Sequence, residues 1–107
     1  MNEAEKFGQL LRATRKARKL GLAQVAEKVD IGVKHLGRIE RGEKQPSFEL
    51  IVDLASEMNV SPALLFDFES LQMDEKALRT QLRGLLEKRD AKELLKAKRV
   101  LKIILEP

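Results

Sequence analysis

Few side chains in this sequence are equipped for chemistry. There is one histidine, His35, and there is no cysteine. Thiolate zinc sites, cysteine nucleophiles and disulfide frameworks are therefore excluded, and a single imidazole cannot build a histidine-based metal site. No glycine-rich phosphate loop, no grouping of nucleophile, histidine and acid, and no metal-ligand cluster is spaced for use. The expectation is a protein that is not an enzyme and needs neither cofactor nor metal. What the chain has in quantity is unevenly placed charge. Residues 1–44 carry 11 basic and 6 acidic side chains, a net of +5. Residues 45–69 carry 5 acidic side chains and none that is basic, and residues 70–107 carry 10 basic and 6 acidic ones. Basic surplus gathered in particular stretches is the footprint of a protein that meets an anionic polymer on one side. The only aromatics are four phenylalanines, which argues against a base-stacking binder of single strands.

The elements that must position this charge are helices. At 107 residues and 43% apolar content, the chain can bury one domain's core with a small appendage. Its 6 glycines and 3 prolines are too few for the turns of a many-stranded sandwich, and its wealth of Lys, Arg, Glu, Leu and Ala favours helix. No segment approaches the roughly 20 apolar residues of a membrane span. The first residues carry acids rather than a basic patch, so no signal peptide, no membrane and a cytoplasmic location are expected.

Periodicity places the helices. Phe7, Leu10, Leu11 and Thr14 define one over about residues 3–18. A short helix from Gly21 to Val29 turns Val25, Ala26 and Val29 to one side, and Asp30-Ile31-Gly32 interrupts it. Another follows from Val33 to Glu40 with Leu36 and Ile39 inward, and Gly42 is placed to end it. Ser47 can cap a fourth helix, apolar at Leu50, Ile51, Leu54, Ala55 and Met58, with Asn59 suited to a left-handed residue after it. Ser61-Pro62 opens a short fifth helix through Leu64, Leu65 and Phe66. Phe7, Phe48, Phe66 and Phe68 fall on or near inward faces and read as core rather than as a stacking platform. Beyond Asp67, Leu71, Leu78, Leu82 and Leu85 form one stripe. Asp90-Ala91-Lys92-Glu93 reads as a capping-box opening to a last helix striped by Leu94, Ala97, Leu101 and Ile104. The all-α chain divides into residues 1–68 and a helical extension, 69–107.

Two helices of about eight residues at 21–29 and 33–40, separated by a short break, form a helix-turn-helix arrangement. Short helices in this order also occur in other all-helical domains. The residues around them are more specific: FGQLLRATRKARKL in front, VAEKVDIGVKHLGRIERG through the pair and QPSFELIVDLASEMNVSPALLF behind. Over Phe7–Phe66 the chain resembles the phage-repressor and Cro-type helix-turn-helix family, also called the XRE family. The IERG turn, the following Pro-Ser and the NVSPALLF ending carry most of the likeness.

That resemblance implies a compact five-helix repressor-like domain that binds double-stranded DNA. By comparison with the family, Val33, Lys34 and Arg38 face base edges, His35 points toward the DNA backbone, and Arg41 and Lys44 reach phosphates. Lys34 and Arg38 can donate to guanine O6 and N7, and Val33 can pack on a thymine methyl. Leu22 and Ala23, at the start of the second helix, complete the implied interface. Arg15 and Glu40 align with a family ion pair between the first and third helices. The chain departs from the family at both helix starts, with Gly21 and Gly32 where Ser or Thr is usual and Leu22 where a DNA-contacting glutamine is usual.

One recognition helix reads a half-site of few base pairs, so a two-fold dimer on a DNA operator is expected. Leu78, Leu82, Leu85, Leu94, Leu101 and Ile104 are the candidate dimer contacts, the alternative being that their stripes return to the five-helix core. The expected function is a sequence-specific transcriptional regulator, a repressor, that acts as a homodimer through occupancy of its operator. The alternative is an antitoxin-type protein whose last helices bind a partner protein.

Overall fold

The computed structural model describes residues 1–106. Among them are six α-helices, two 3-10 helices and no strand. The order is α1 (Glu3–Ala17), α2 (Leu22–Lys28), α3 (Val33–Glu40), α4 (Phe48–Glu57), 3-10 helices at Pro62–Phe66 and Phe68–Gln72, α5 (Glu75–Leu86) and α6 (Ala91–Leu105). The chain divides into two compact units, Met1–Leu71 and the remainder from Gln72.

Local chemistry sets the helix ends of the first unit. The Glu5 amide donates to Asn2 Oδ1 at 2.8 Å, and Glu5 Oε1 accepts from the Asn2 amide at 3.2 Å, a reciprocal capping box. Ser47 Oγ accepts from the Leu50 amide and starts α4. All four helices end in the same way, with a left-handed residue at C′: Lys19, Asp30, Gly42 and Asn59. In each, the next amide reaches back to the carbonyl five residues earlier, as in Leu20 to Arg15, Ile31 to Ala26, Glu43 to Arg38 and Val60 to Ala55. This is the Schellman motif. Leu20, Ile31 and Val60 follow its usual pattern and pack their apolar side chains on the core. Glu43 does not.

The core lies where the apolar stripes of these helices meet. Phe7 and Leu11 come from α1, Val25 and Ala26 from α2, Leu36 and Ile39 from α3, Leu50, Leu54 and Met58 from α4, and Leu65 from the 3-10 turn. Gly8 permits the crossing of α1 and α3, because a Cβ there would stand 2.5 Å from the main-chain oxygens of Ile39 and Glu40. Gly42 serves twice: its φ of +75° closes α3, and a side chain would strike the backbone of Glu5.

Two expectations, on Phe48 and Leu71, need correction. Phe48 is not inward but 80% exposed. It sits two residues before Leu50, roughly 200° around the helix from the buried face that Leu50, Leu54 and Met58 define. Phe66 is about half exposed and lies at the core's rim, with its ring centroid 5.2 Å from Phe7 and 5.9 Å from Phe68. Leu71 does not begin the stripe of α5, since it belongs to the second 3-10 helix and Asp74 caps α5 after it. The fifth helix of the domain is a single 3-10 stretch, started by Ser61 Oγ accepting from the Ala63 amide and by Pro62.

In the second unit, Asp90 caps α6 by accepting from the Glu93 amide at 2.8 Å. The box is half-made, because Glu93 accepts from Arg89 instead. No residue of α5 or α6 is buried. The two helices leave between them an open groove lined by Leu82, Leu85, Leu86, Ala97, Val100 and Leu101 together with Arg89, Glu93 and Lys96.

Candidate nucleic-acid interface

Helices α2 and α3 are too short to be stable in isolation and take their orientation from the core. Leu36, Gly37 and Ile39 anchor α3 inward. The 3.6-residue period then turns Val33, Lys34 and Arg38 outward, all exposed, with His35 half-buried at the edge. Both helices start from glycines in extended conformation that offer no side-chain cap. At Gly21 the amide is covered from the other direction, donating to Gln24 Oε1 at 3.3 Å. Ala23 is exposed, whereas Leu22 is half-buried and packs on the core. Its Cδ2 lies in the seam beside Gly37, 3.7 Å from where a Cβ would be. Of the two α2 residues, only Ala23 is freely presented.

The pair is held against α1 by one ion pair. Arg15 Nε donates to Glu40 Oε2 at 2.7 Å and Arg15 Nη2 donates to Glu40 Oε1 at 2.9 Å. Arg15 Nη1 donates to the Leu20 carbonyl at 2.9 Å. The two side chains are only 11% and 6% exposed. The hydrogen bonding to Glu40 outweighs burial and raises the guanidinium pKa above its ordinary value. This bidentate geometry fixes both position and rotation of α3's last turn.

Arg41 and Lys44 follow α3, both exposed. Arg41 does not hang free: its Nε donates to the Glu43 carboxylate. Its Nη1 lies over the backbone of Gly37, where an added Cβ would be 3.2 Å away. Arg41, and more weakly Arg38, hold the Glu43 carboxyl below the usual carboxylate range. Glu43 was not among the residues singled out from the sequence. The signal was available, since an acid stands between Arg41 and Lys44, but pattern alone does not say where it points.

The six candidate dimer residues are all exposed. Leu82, Leu85 and Leu101 meet around the groove of the second unit, while Leu78, Leu94 and Ile104 lie outside it.

A helical core whose α2–α3 pair displays a basic, solvent-facing helix defines a helix-turn-helix protein. The sequence pattern of the helix-turn-helix family matches residues 11–65, and the chain belongs to that family. It is similar to the uncharacterized HTH-type transcriptional regulator YazB of Bacillus subtilis (strain 168), 41% identical over 59 residues that cover 55% of this chain and 86% of that protein. It is also similar to the immunity repressor protein of Bacillus phage phi105, 33% identical over 70 residues, or 65% of this chain. The matched part covers 49%, about half, of that repressor's length. Among solved structures, the clp gene regulator ClgR from Corynebacterium glutamicum matches with a TM-score of 0.64 at 26% identity, over 81% of this chain and 93% of that one. No helix among the described residues is long and apolar enough to cross a membrane.

Proposed function

We propose that the protein is a sequence-specific regulator of transcription that occupies a double-stranded DNA operator as a homodimer and represses from it. The observation that carries this reading is the outward set of Val33, Lys34 and Arg38 on a helix whose opposite face is locked into the core. In the reading, α3 enters the major groove. Lys34 and Arg38 donate to guanine O6 and N7, and Val33 meets a thymine methyl. His35, Arg41 and Lys44 face the phosphate backbone and fix register rather than sequence. Repression is supported by the likeness to an immunity repressor.

The second unit supports the dimer. Eleven large apolar side chains of α5 and α6 are between 38% and 72% exposed, so the two helices leave much of their apolar surface uncovered. Contiguous apolar surface of this kind marks an interface in a water-soluble chain. A second copy presents the same grooved hairpin, and a two-fold axis lets each fill the other's groove. Joining two half-site readers raises operator affinity without any new base contact.

Selection of bound sequences from random duplex DNA tests the reading. An enriched inverted repeat, with half-sites about one helical turn apart, is the expected result. Recovery of unenriched sequence overturns sequence-specific binding, and a single unpaired half-site overturns the dimer.

A further inference from the structure

Glu43 is in the wrong place for an ordinary surface acid. It occupies the C″ position of the Schellman motif that ends α3, and its amide donates to the Arg38 carbonyl at 2.9 Å. At the same position after α1, α2 and α4 the chain places Leu20, Ile31 and Val60, each packed on the core. At the end of α3 alone, the residue is charged and exposed. It also lies among Arg38, Arg41 and Lys44, where a negative charge opposes any phosphate those cations would meet. Simple electrostatics would remove it.

The geometry of Arg41 supplies a reason to keep it. Glu43 accepts the Nε hydrogen bond of Arg41, which leaves Nη2 to donate elsewhere. Gly37, one turn back, has no side chain, so the guanidinium can approach the helix, and Nη1 would stand 3.2 Å from a Cβ placed there. A long side chain that would otherwise sample many rotamers is thereby held beside α3. The left-handed Gly42 makes the contact possible by turning the chain so that residue 43 returns to residue 41.

We propose that Glu43 is a positioning residue for Arg41, one that strengthens binding to the operator while weakening binding to DNA in general. The inference rests on the DNA-binding reading above. At an operator, where α3 is seated in register, a pre-oriented Arg41 meets its phosphate without the entropic cost of being ordered. On random duplex, where charge alone drives binding, the carboxylate offsets one cation and lowers affinity. Glu43 thus widens the gap between the two.

The test compares Glu43→Ala, Glu43→Gln and Glu57→Gln on the selected operator and on random duplex across a salt series. Glu57 is an exposed acid at the end of α4 and controls for net charge. Removing an acid should tighten binding everywhere if only charge matters. Instead, Glu43→Ala should loosen operator binding roughly three- to tenfold, the scale of one ordered side chain, while random-duplex binding tightens. Glu43→Gln keeps an acceptor for Nε and should retain operator affinity. In an Arg41→Ala background, Glu43→Ala should no longer loosen the operator complex. If Glu43→Ala tightens both complexes by the factor seen for Glu57→Gln, Glu43 is only a charge and the inference fails. Should the unaltered protein not distinguish operator from random duplex, the DNA-binding reading itself fails, and this inference with it.

Discussion

Arg15 and Glu40 stand 25 residues apart in the chain and share two hydrogen bonds, 2.7 and 2.9 Å long, in a nearly closed setting. They join the last turn of α1 to the last turn of α3. Removing one partner leaves the other charge poorly solvated, so Glu40→Ala should destabilise the first unit by about 3 kcal/mol. Thermal melts of Arg15→Ala, Glu40→Ala and the double variant decide the matter. The double variant should lose much less than the sum of the singles, and additive losses would show that the pair does not couple.

Two glycines make a contrasting pair. Alanine normally improves a helix interior by roughly 0.5–1 kcal/mol over glycine. Gly84 in α5 has open space around it, so Gly84→Ala should stabilise the protein by up to that amount. Gly8→Ala should do the reverse and cost about 1–3 kcal/mol, because the methyl group meets the Ile39 and Glu40 carbonyls. Denaturant midpoints of the two variants should move in opposite directions.

Base readout and phosphate contact are separable. Arg38→Ala should cost about 1–3 kcal/mol on the operator and relax preference at one base position. Lys44→Ala should weaken all duplexes nearly alike and flatten the salt dependence by about one phosphate contact. Equal losses on operator and random duplex for Arg38→Ala would rule out base readout by that side chain.

The carboxyl of Glu43 should titrate below the ordinary glutamate range, because Arg41 donates to its ionised form. A depressed folded-state pKa means that the stabilising pair is present above the unfolded carboxylate pKa and is lost as pH falls through the folded value. Carboxyl-detected NMR titration should show the midpoint rising in Arg41→Ala. An unchanged midpoint would mean that the pair does not form in solution.

The second unit gives a prediction about assembly. A chain ending after Gln72 retains every buried residue of the core and should be a folded helical monomer with much weaker operator binding. Leu82→Asp in the full chain should likewise produce monomers, since that side chain lines the groove between α5 and α6. Sedimentation at matched concentration is the measurement. A full-length chain that is monomeric at tens of micromolar overturns the homodimer and leaves the apolar faces to a partner protein of the antitoxin type. A shortened chain that does not fold would show that the extension belongs to the core.

Helix positions and most of their ends were legible in the residue pattern. Caps such as Ser47 and Asp90, closures such as Gly42 and Asn59, and the 3.6-residue stripes act over a few residues of chain, so the responsible groups are neighbours in sequence. Lys19 shows the limit of that legibility: it is left-handed at the end of α1 although nothing in its type demands it. Likeness of motif could pair Arg15 with Glu40, but only the approach of α1 to α3, allowed by Gly8, makes the contact bidentate and nearly dry. The phase of α4 turned Phe48 to solvent against the expectation from its residue type, and packing drew Leu22 into the seam beside Gly37, where the resemblance implied a DNA contact. The local turn at Gly42 brought Glu43 back onto Arg41. Apolarity along a helix states that some surface must be covered; which residues face it, and what an exposed charge can reach, depends on the angles at which distant segments meet.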